Sequence, residues 1–412
     1  MTTLDHTTPR RKRSIGGIQL GVDLPLLVAT IFLVLFGLVM VFSASWEISY
    51  FEYEGSHTRM FERQFMFMVL GIIGAILISF VDYHRYRQWA IVGMGITVLA
   101  LLGVLIVREV RFNATRTLYE GSVMPSEAAK LMIIIYLCVW LYAKRHQINE
   151  ISFGLIPLGL IIGVLGGLIM AQPDVSAVAT LVIIGGILFF LAGGDLKQIF
   201  ILLMVTILFG WAIVQLQPTA RTRMADYYEG LRSPTEASFH VRRSIESFIR
   251  GGVFGAGIDN AETKLISLPV PPTDSIFAVV AEETGLVGTT LLIGLYMVVT
   301  WRGMKIAKNA PDMLGQLLAS GLTFWLVMEA LINMSMMVGL FPFAGNALPF
   351  ISLGGSNLIV SLAAVGILMN ISRLSKQPEG QKERIEHAPD GFSRSDRRRD
   401  KSRPSRFTSA RR

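Results

Sequence analysis

Residues 152–192 read SFGLIPLGLIIGVLGGLIM, then AQPDV, then SAVATLVIIGGILFFLA. Two apolar runs flank a five-residue break. Pro173 and Asp174 mark that break, because proline lacks the amide hydrogen a helix interior needs and crowds the preceding turn. Each run approaches the roughly 20 apolar residues of a bilayer span. Eight further runs occupy residues 24–44, 63–81, 89–107, 126–142, 198–216, 276–300, 314–337 and 354–372. With 152–170 and 176–192 they predict an all-α polytopic membrane protein of ten transmembrane helices. The first run exceeds the 7–15 apolar residues of a signal peptide. It therefore reads as a span, despite the cleavage-like Ser43-Ala44-Ser45.

Composition agrees. Of 412 residues, 52% are hydrophobic and 17% charged, against roughly 25% charged in soluble proteins. A soluble multidomain enzyme, a disordered chain and a disulfide-stapled secreted domain are excluded, the last because Cys138 is the sole cysteine. The net charge of +8 is concentrated in the tails and loops, so it sets orientation and gives no case for nucleic acid. Arg10, Arg11, Lys12 and Arg13 place the N-terminal tail, residues 1–22, in the cytoplasm by the positive-inside rule. Arg85, Arg87, Lys144, Arg145, Lys197, Arg302, Lys305 and Lys308 then fall in inner loops. The membrane domain is 23–373, with a large outer loop at 217–275. The tail 374–412 is basic, lacks an apolar face and reads as disordered and cytoplasmic. Its arginines suit membrane lipid or a solvated anchor.

Ionisable residues gather at the outer ends of three helices: Pro125-Ser126-Glu127, Pro173-Asp174 and Pro272-Thr273-Asp274. Proline suits the first helical turn, and a carboxylate there meets the positive end of the helix dipole. Helix capping and a shared outward cavity both account for the pattern. Lys130 lies on the face of Glu127, where it is either an ion-pair partner or a cation aimed into a polar cavity. Glu282, Glu283, Glu329 and Asn333 are costly groups inside apolar runs. The outer loop carries seven basic residues and the glycine-rich SFIRGGVFGAG at 247–257. That composition suits a turn, a loop lying on the membrane, or close backbone approach to a ligand. The last outer loop, GLFPFAGNALPFISLGGS at 339–356, is apolar yet broken by proline and glycine. Irregular backbone of that kind fits a buried or cavity-lining element. The six histidines show no metal-ligand spacing, and Walker and dinucleotide motifs are missing.

Taken together, Asn113-Ala114-Thr115-Arg116, Pro125 to Lys130, Gln172-Pro173-Asp174, Gly251 to Gly255, Lys264-Leu265, Leu268-Pro269, Thr273 to Ala278, Glu282 to Gly285 and Leu348 to Ser356 resemble the SEDS family (shape, elongation, division and sporulation). These are bacterial peptidoglycan polymerases of the FtsW and RodA type, and the overall flavour is nearer FtsW. The resemblance spans roughly residues 20–373 and departs from the family pattern at Pro272, Arg243, Ile249-Arg250, Leu353 and Asn346-Ala347.

The resemblance implies a peptidoglycan glycosyltransferase of the bacterial plasma membrane that polymerises lipid II at its outer face for septal wall synthesis. It implies Asp274 as the catalytic residue, and the need to take a proton from a sugar hydroxyl suits that carboxylate to the role of general base. Arg116, Glu127, Lys130, Asp174, Ser244, Lys264, Thr273 and Ser352 are the candidates for binding substrate, with Arg243 as a further available cation. Partners would be a class B penicillin-binding transpeptidase and divisome proteins. No cofactor is demanded, and Mg2+ or Mn2+ held by carboxylates and phosphates is compatible. The rival readings are a lipid-linked precursor transporter, a non-catalytic scaffold for the transpeptidase and an elongation-type polymerase.

Overall fold

In the computed structural model the described residues are 21–53, 55–107, 124–172, 174–233, 235, 237–266, 268 and 271–376. The chain divides into a compact unit, Met1–Ser375, and a tail, Lys376–Arg412. Residues 377–412 of that tail lie outside the described residues.

Each of the ten apolar runs falls on a helix: α1 (Leu24–Glu52), α2 (Arg59–Phe80), α3 (Tyr86–Val107), α4 (Pro125–Lys144), α5 (Leu155–Met170), α6 (Val175–Leu191), α7 (Leu196–Leu216), α11 (Ile276–Lys308), α12 (Met313–Met337) and α13 (Gly355–Ser375). Seven of the described helices are long and apolar enough to cross a membrane. Three shorter apolar stretches, Leu155–Met170, Val175–Leu191 and Leu196–Ala212, accompany them. The segment between α7 and α11 folds into three further helices, α8 (Pro218–Arg232), α9 (Phe239–Gly251) and the single turn α10 (Thr263–Ile266). Among the described residues no strand occurs.

Side-chain caps start several helices. Asp23 accepts from the Leu26 amide at 3.2 Å, and Asp312 from the Gly315 amide at 2.8 Å. Each satisfies an amide that would otherwise lack an intrahelical partner. Two helices outrun their apolar stretch: α1 continues to Glu52 and α11 to Lys308. In α11 the extension is used, since Arg302 reaches back to Asp23 at 2.9 and 2.5 Å and ties the two helices together.

Helices α12 and α13 form the buried centre, whereas α2 and α3 turn most of their side chains outward. Helix α11 packs between α1, α12 and α9, and α2 lies along α13. The exposed Leu, Ile, Val and Phe of α1, α2, α3 and α7 would be untenable in water and suit hydrocarbon.

Candidate functional site

The turn that precedes α11 carries Thr273 and Asp274, both half-buried. Its backbone is lashed to the loop after α12. The Ser352 hydroxyl donates to the Thr273 carbonyl at 2.7 Å, and the Leu353 amide to the Pro272 carbonyl at 2.7 Å. Asn333, buried on α12, donates to the Asp274 carbonyl at 2.9 Å and the Asn346 carbonyl at 2.5 Å. The Asp274 carboxylate rests against Gly345, where an added Cβ would stand 3.0 Å from Oδ2. Gly345 also has φ +62°, a conformation glycine adopts without penalty. The 339–356 loop is a built element: Leu348, Phe350 and Ile351 are buried, and Gln64 holds the Ser352 carbonyl and the Gly354 amide at 3.2 Å each.

A second group joins the first through hydrogen bonds. Asn346 donates to the Glu329 carbonyl at 3.1 Å. Glu329 and Asn333 stand four residues apart and so share one face of α12. The Glu329 carboxylate accepts from Lys130, which also pairs with Glu127 at 2.9 Å. Asn357 of α13 donates to Glu127 at 3.0 Å. Lys130 is only 2% exposed and Glu329 0%. A single ammonium thus faces two carboxylates in the interior. The two carboxylates share the one ammonium, and loss of Lys130 would leave both buried without a counter-charge.

Lys264 of α10 forms a separate cluster against α1 and α11. Its ammonium contacts the Ser43 hydroxyl at 2.7 Å, Asp259 at 2.8 Å and Glu283 at 2.9 Å. Glu282 accepts from the Glu262 amide at 2.9 Å and from Thr263, thereby capping α10. The glycine-rich stretch approaches the backbone of α11 rather than open space. The Leu286 amide donates to the Gly252 carbonyl at 3.0 Å and the Val287 amide to the Val253 carbonyl at 3.1 Å. An added Cβ at Gly255 would lie 2.2 Å from the Glu283 carbonyl oxygen.

The other expected residues among those described have these partners. Asp174 caps α6, accepting from the Ala177 amide at 3.2 Å and the Ser176 hydroxyl at 2.9 Å. Arg243 pairs along α9 with Glu246 at 2.6 Å, and that guanidinium holds the half-buried Glu246 carboxyl below the usual carboxylate range. Ser244 is fully buried and bonds the His240 carbonyl and the Met337 sulfur. Arg116 lies outside the described residues. Among the described residues no three His, Cys, Asp or Glu side chains group as metal ligands. A divalent ion would need substrate oxygens to complete its shell, and no step below is routed through one. The hydrogen-bonding roles of Asn346, Asn357 and Gln64 were not read from the sequence. Their partners are distant in the chain, and the one local signal was the four-residue spacing of Glu329 and Asn333.

Residues 24–377 match the model of the FtsW, RodA and SpoVE family, described as cell cycle proteins. The "Probable peptidoglycan glycosyltransferase FtsW" of Trichlorobacter lovleyi is 35% identical over 355 residues, covering 85% of this chain and 93% of that one. Stage V sporulation protein E of Bacillus subtilis is 34% identical over 359 residues, covering 86% and 98%. Among solved structures, a chain from a peptidoglycan synthase complex that coordinates polymerization and crosslinking superposes with TM-score 0.71 at 24% identity, covering 87% of this chain and all of that one. The rod shape determining protein RodA of Thermus thermophilus gives TM-score 0.64 at 23% identity, covering 87% and 99%. At these identities the structural likenesses are of fold.

Proposed function

Because this chain belongs to the FtsW/RodA/SpoVE family, we propose that it is a peptidoglycan glycosyltransferase of the FtsW type, polymerising lipid II into glycan strands. The observation that carries the assignment to a site is Asp274. It is half-buried at the mouth of α11, and its turn is pinned by Asn333 and Ser352. With the turn's backbone held in this way, only the side-chain torsions of the base are left to order in reaching a reactive geometry.

The step is a displacement. The Asp274 carboxylate takes the proton from an acceptor sugar hydroxyl. The hydroxyl oxygen forms a bond to the anomeric carbon of the growing chain. The bond from that carbon to the lipid pyrophosphate breaks, and the pyrophosphate leaves with the electron pair. Its developing charge calls for cations. Lys130 is bound by Glu127 and Glu329 and Lys264 by Asp259 and Glu283, so each would meet pyrophosphate only by exchanging a carboxylate. We assign both to holding the site together first. Thr273 and Ser352 shape the turn, and Arg116 remains a candidate for the leaving group.

The ten helices are taken as ten crossings of the bacterial plasma membrane, with both tails cytoplasmic and the segment 217–275 outside. The pattern of Lys and Arg supports this orientation. The partner in this reading is a class B penicillin-binding transpeptidase within the division machinery, supported by the fold shared with a chain of a synthase complex. A requirement for Mg2+ or Mn2+ belongs to the same proposal and would appear as activity lost to a chelator and restored by either ion.

Lipid II given to the purified protein in detergent tests the function. Glycan strands are the expected product. Movement of lipid II across sealed vesicles with no new glycosidic bond would instead make the protein a transporter.

A further inference from the structure

A cavity of about 310 Å3 opens between α8, α9 and the loop after α12. Its walls bring together Arg223, Asp226 and Tyr227 of α8, His240 of α9, and Phe341 and Phe343. The site described above uses none of them. The Tyr227 hydroxyl donates to the Leu340 carbonyl at 3.0 Å and fastens the loop to α8. The His240 ring stacks on Phe343, with centroids 3.8 Å apart and planes 14° from parallel. Its Nδ1 is buried and has no partner among the described residues. Burial pushes His240 down to about 4, and the Arg223 guanidinium pushes it in the same direction. The ring is therefore a neutral imidazole at physiological pH.

The chemistry of the lining selects a ligand class. Arg223 and Asp226 bring one positive and one negative group to the same wall, so the lining favours neither a cation nor an anion. A neutral polyhydroxylated ligand suits both, because its hydroxyls can accept from the guanidinium and donate to the carboxylate. Phe341 and Phe343 offer apolar surface for the C–H face of a sugar ring. The volume is at the small end of ligand pockets, roughly 300–1,000 Å3. It suits sugar units rather than a whole lipid-linked precursor. Phe343 lies two residues before Gly345, against which the Asp274 carboxylate rests. Two residues of extended chain span at most roughly 7 Å, so the Phe343 wall of the cavity belongs to the same stretch of loop that meets the Asp274 carboxylate.

We propose that this cavity is a saccharide subsite holding sugar units of the glycan strand adjacent to those reacting at Asp274. The proposal rests on the glycosyltransferase reading and names where the strand is gripped.

The test titrates full-length protein in detergent with the soluble tetrasaccharide released from uncrosslinked glycan. The readout is the ring signal of His240 in histidine-labelled protein, assigned with His240→Gln. The tetrasaccharide should shift that signal saturably. Asp226→Asn should weaken binding about fivefold or more, the equivalent of one lost hydrogen bond, and should shorten the strands made from lipid II. Asp274→Asn should still bind. An unmoved His240 signal, unchanged affinity in both Asp226→Asn and Arg223→Gln, or a shift caused by inorganic pyrophosphate alone would overturn the subsite. Glycan synthesis without tetrasaccharide binding sinks the subsite and spares the enzyme reading. Binding without synthesis does the reverse.

Discussion

Lys130 shows how one side chain serves two helices. It lies three residues from Glu127 on its own helix and meets Glu329 of α12 across the interior. Removing the ammonium leaves two buried carboxylates facing each other, which costs roughly 3–5 kcal/mol. Lys130→Met should therefore lower the yield of folded protein sharply, and Lys130→Met with Glu329→Gln should recover part of it, both read by thermal unfolding. Equal melting of the single and double variants would contradict the pairing.

His240 makes a second prediction at this scale. Its folded value of about 4 lies below the usual 6.5. The unfolded chain thus binds a proton that the folded one refuses, and stability falls as pH drops from about 6.5 towards about 4. The His240 ring signal should stay neutral across pH 5 to 8, and a midpoint near 6.5 would contradict its burial. Asp274 and Lys130 stand out in the sequence as candidates because costly groups beside proline or inside apolar runs are conspicuous. Asn333, Asn346 and Gln64 were not assigned to the site, because an amide declares nothing until its partner is known. For Asn333 one such partner is 59 positions away.

At the scale of elements, the glycine-rich stretch and α11 are made for each other. Gly285 breaks α11 with φ +64° and ψ −163°. A Cβ there would sit 2.4 Å from the Gly255 amide nitrogen and 2.6 Å from the Val253 carbonyl oxygen. Gly285→Ala should combine an unfavourable backbone with a clash, costing more than about 1 kcal/mol. It should also reduce polymerisation, because the same helix begins beside Asp274. A wild-type melting temperature and rate would show that the kink is dispensable.

The ten helices themselves were readable as apolar runs. Their true ends were less so. Helix α11 runs past its apolar boundary because Arg302 finds Asp23, a pairing between residues almost 280 positions apart. The segment 217–275 read as loop, since α8 and α9 are short and rich in Arg. Their folding depends on packing such as α9 against α11 rather than on continuous hydrophobicity.

At the scale of the whole molecule, orientation is the claim to check. Thr222 on α8 and Lys197 at the start of α7 are both exposed, and Cys138 is buried. Cysteine placed at Thr222 should react with a membrane-impermeant maleimide added outside cells. Cysteine at Lys197 should react only after the membrane is opened. The opposite pattern would turn Asp274 to the cytoplasm and end the account.

The most direct measurement compares native protein with Asp274→Asn in lipid II polymerisation, each first shown to melt at the same temperature. The native chain should make glycan strands and the variant should make almost none. Strands from Asp274→Asn at the native rate would remove the carboxylate from the chemistry.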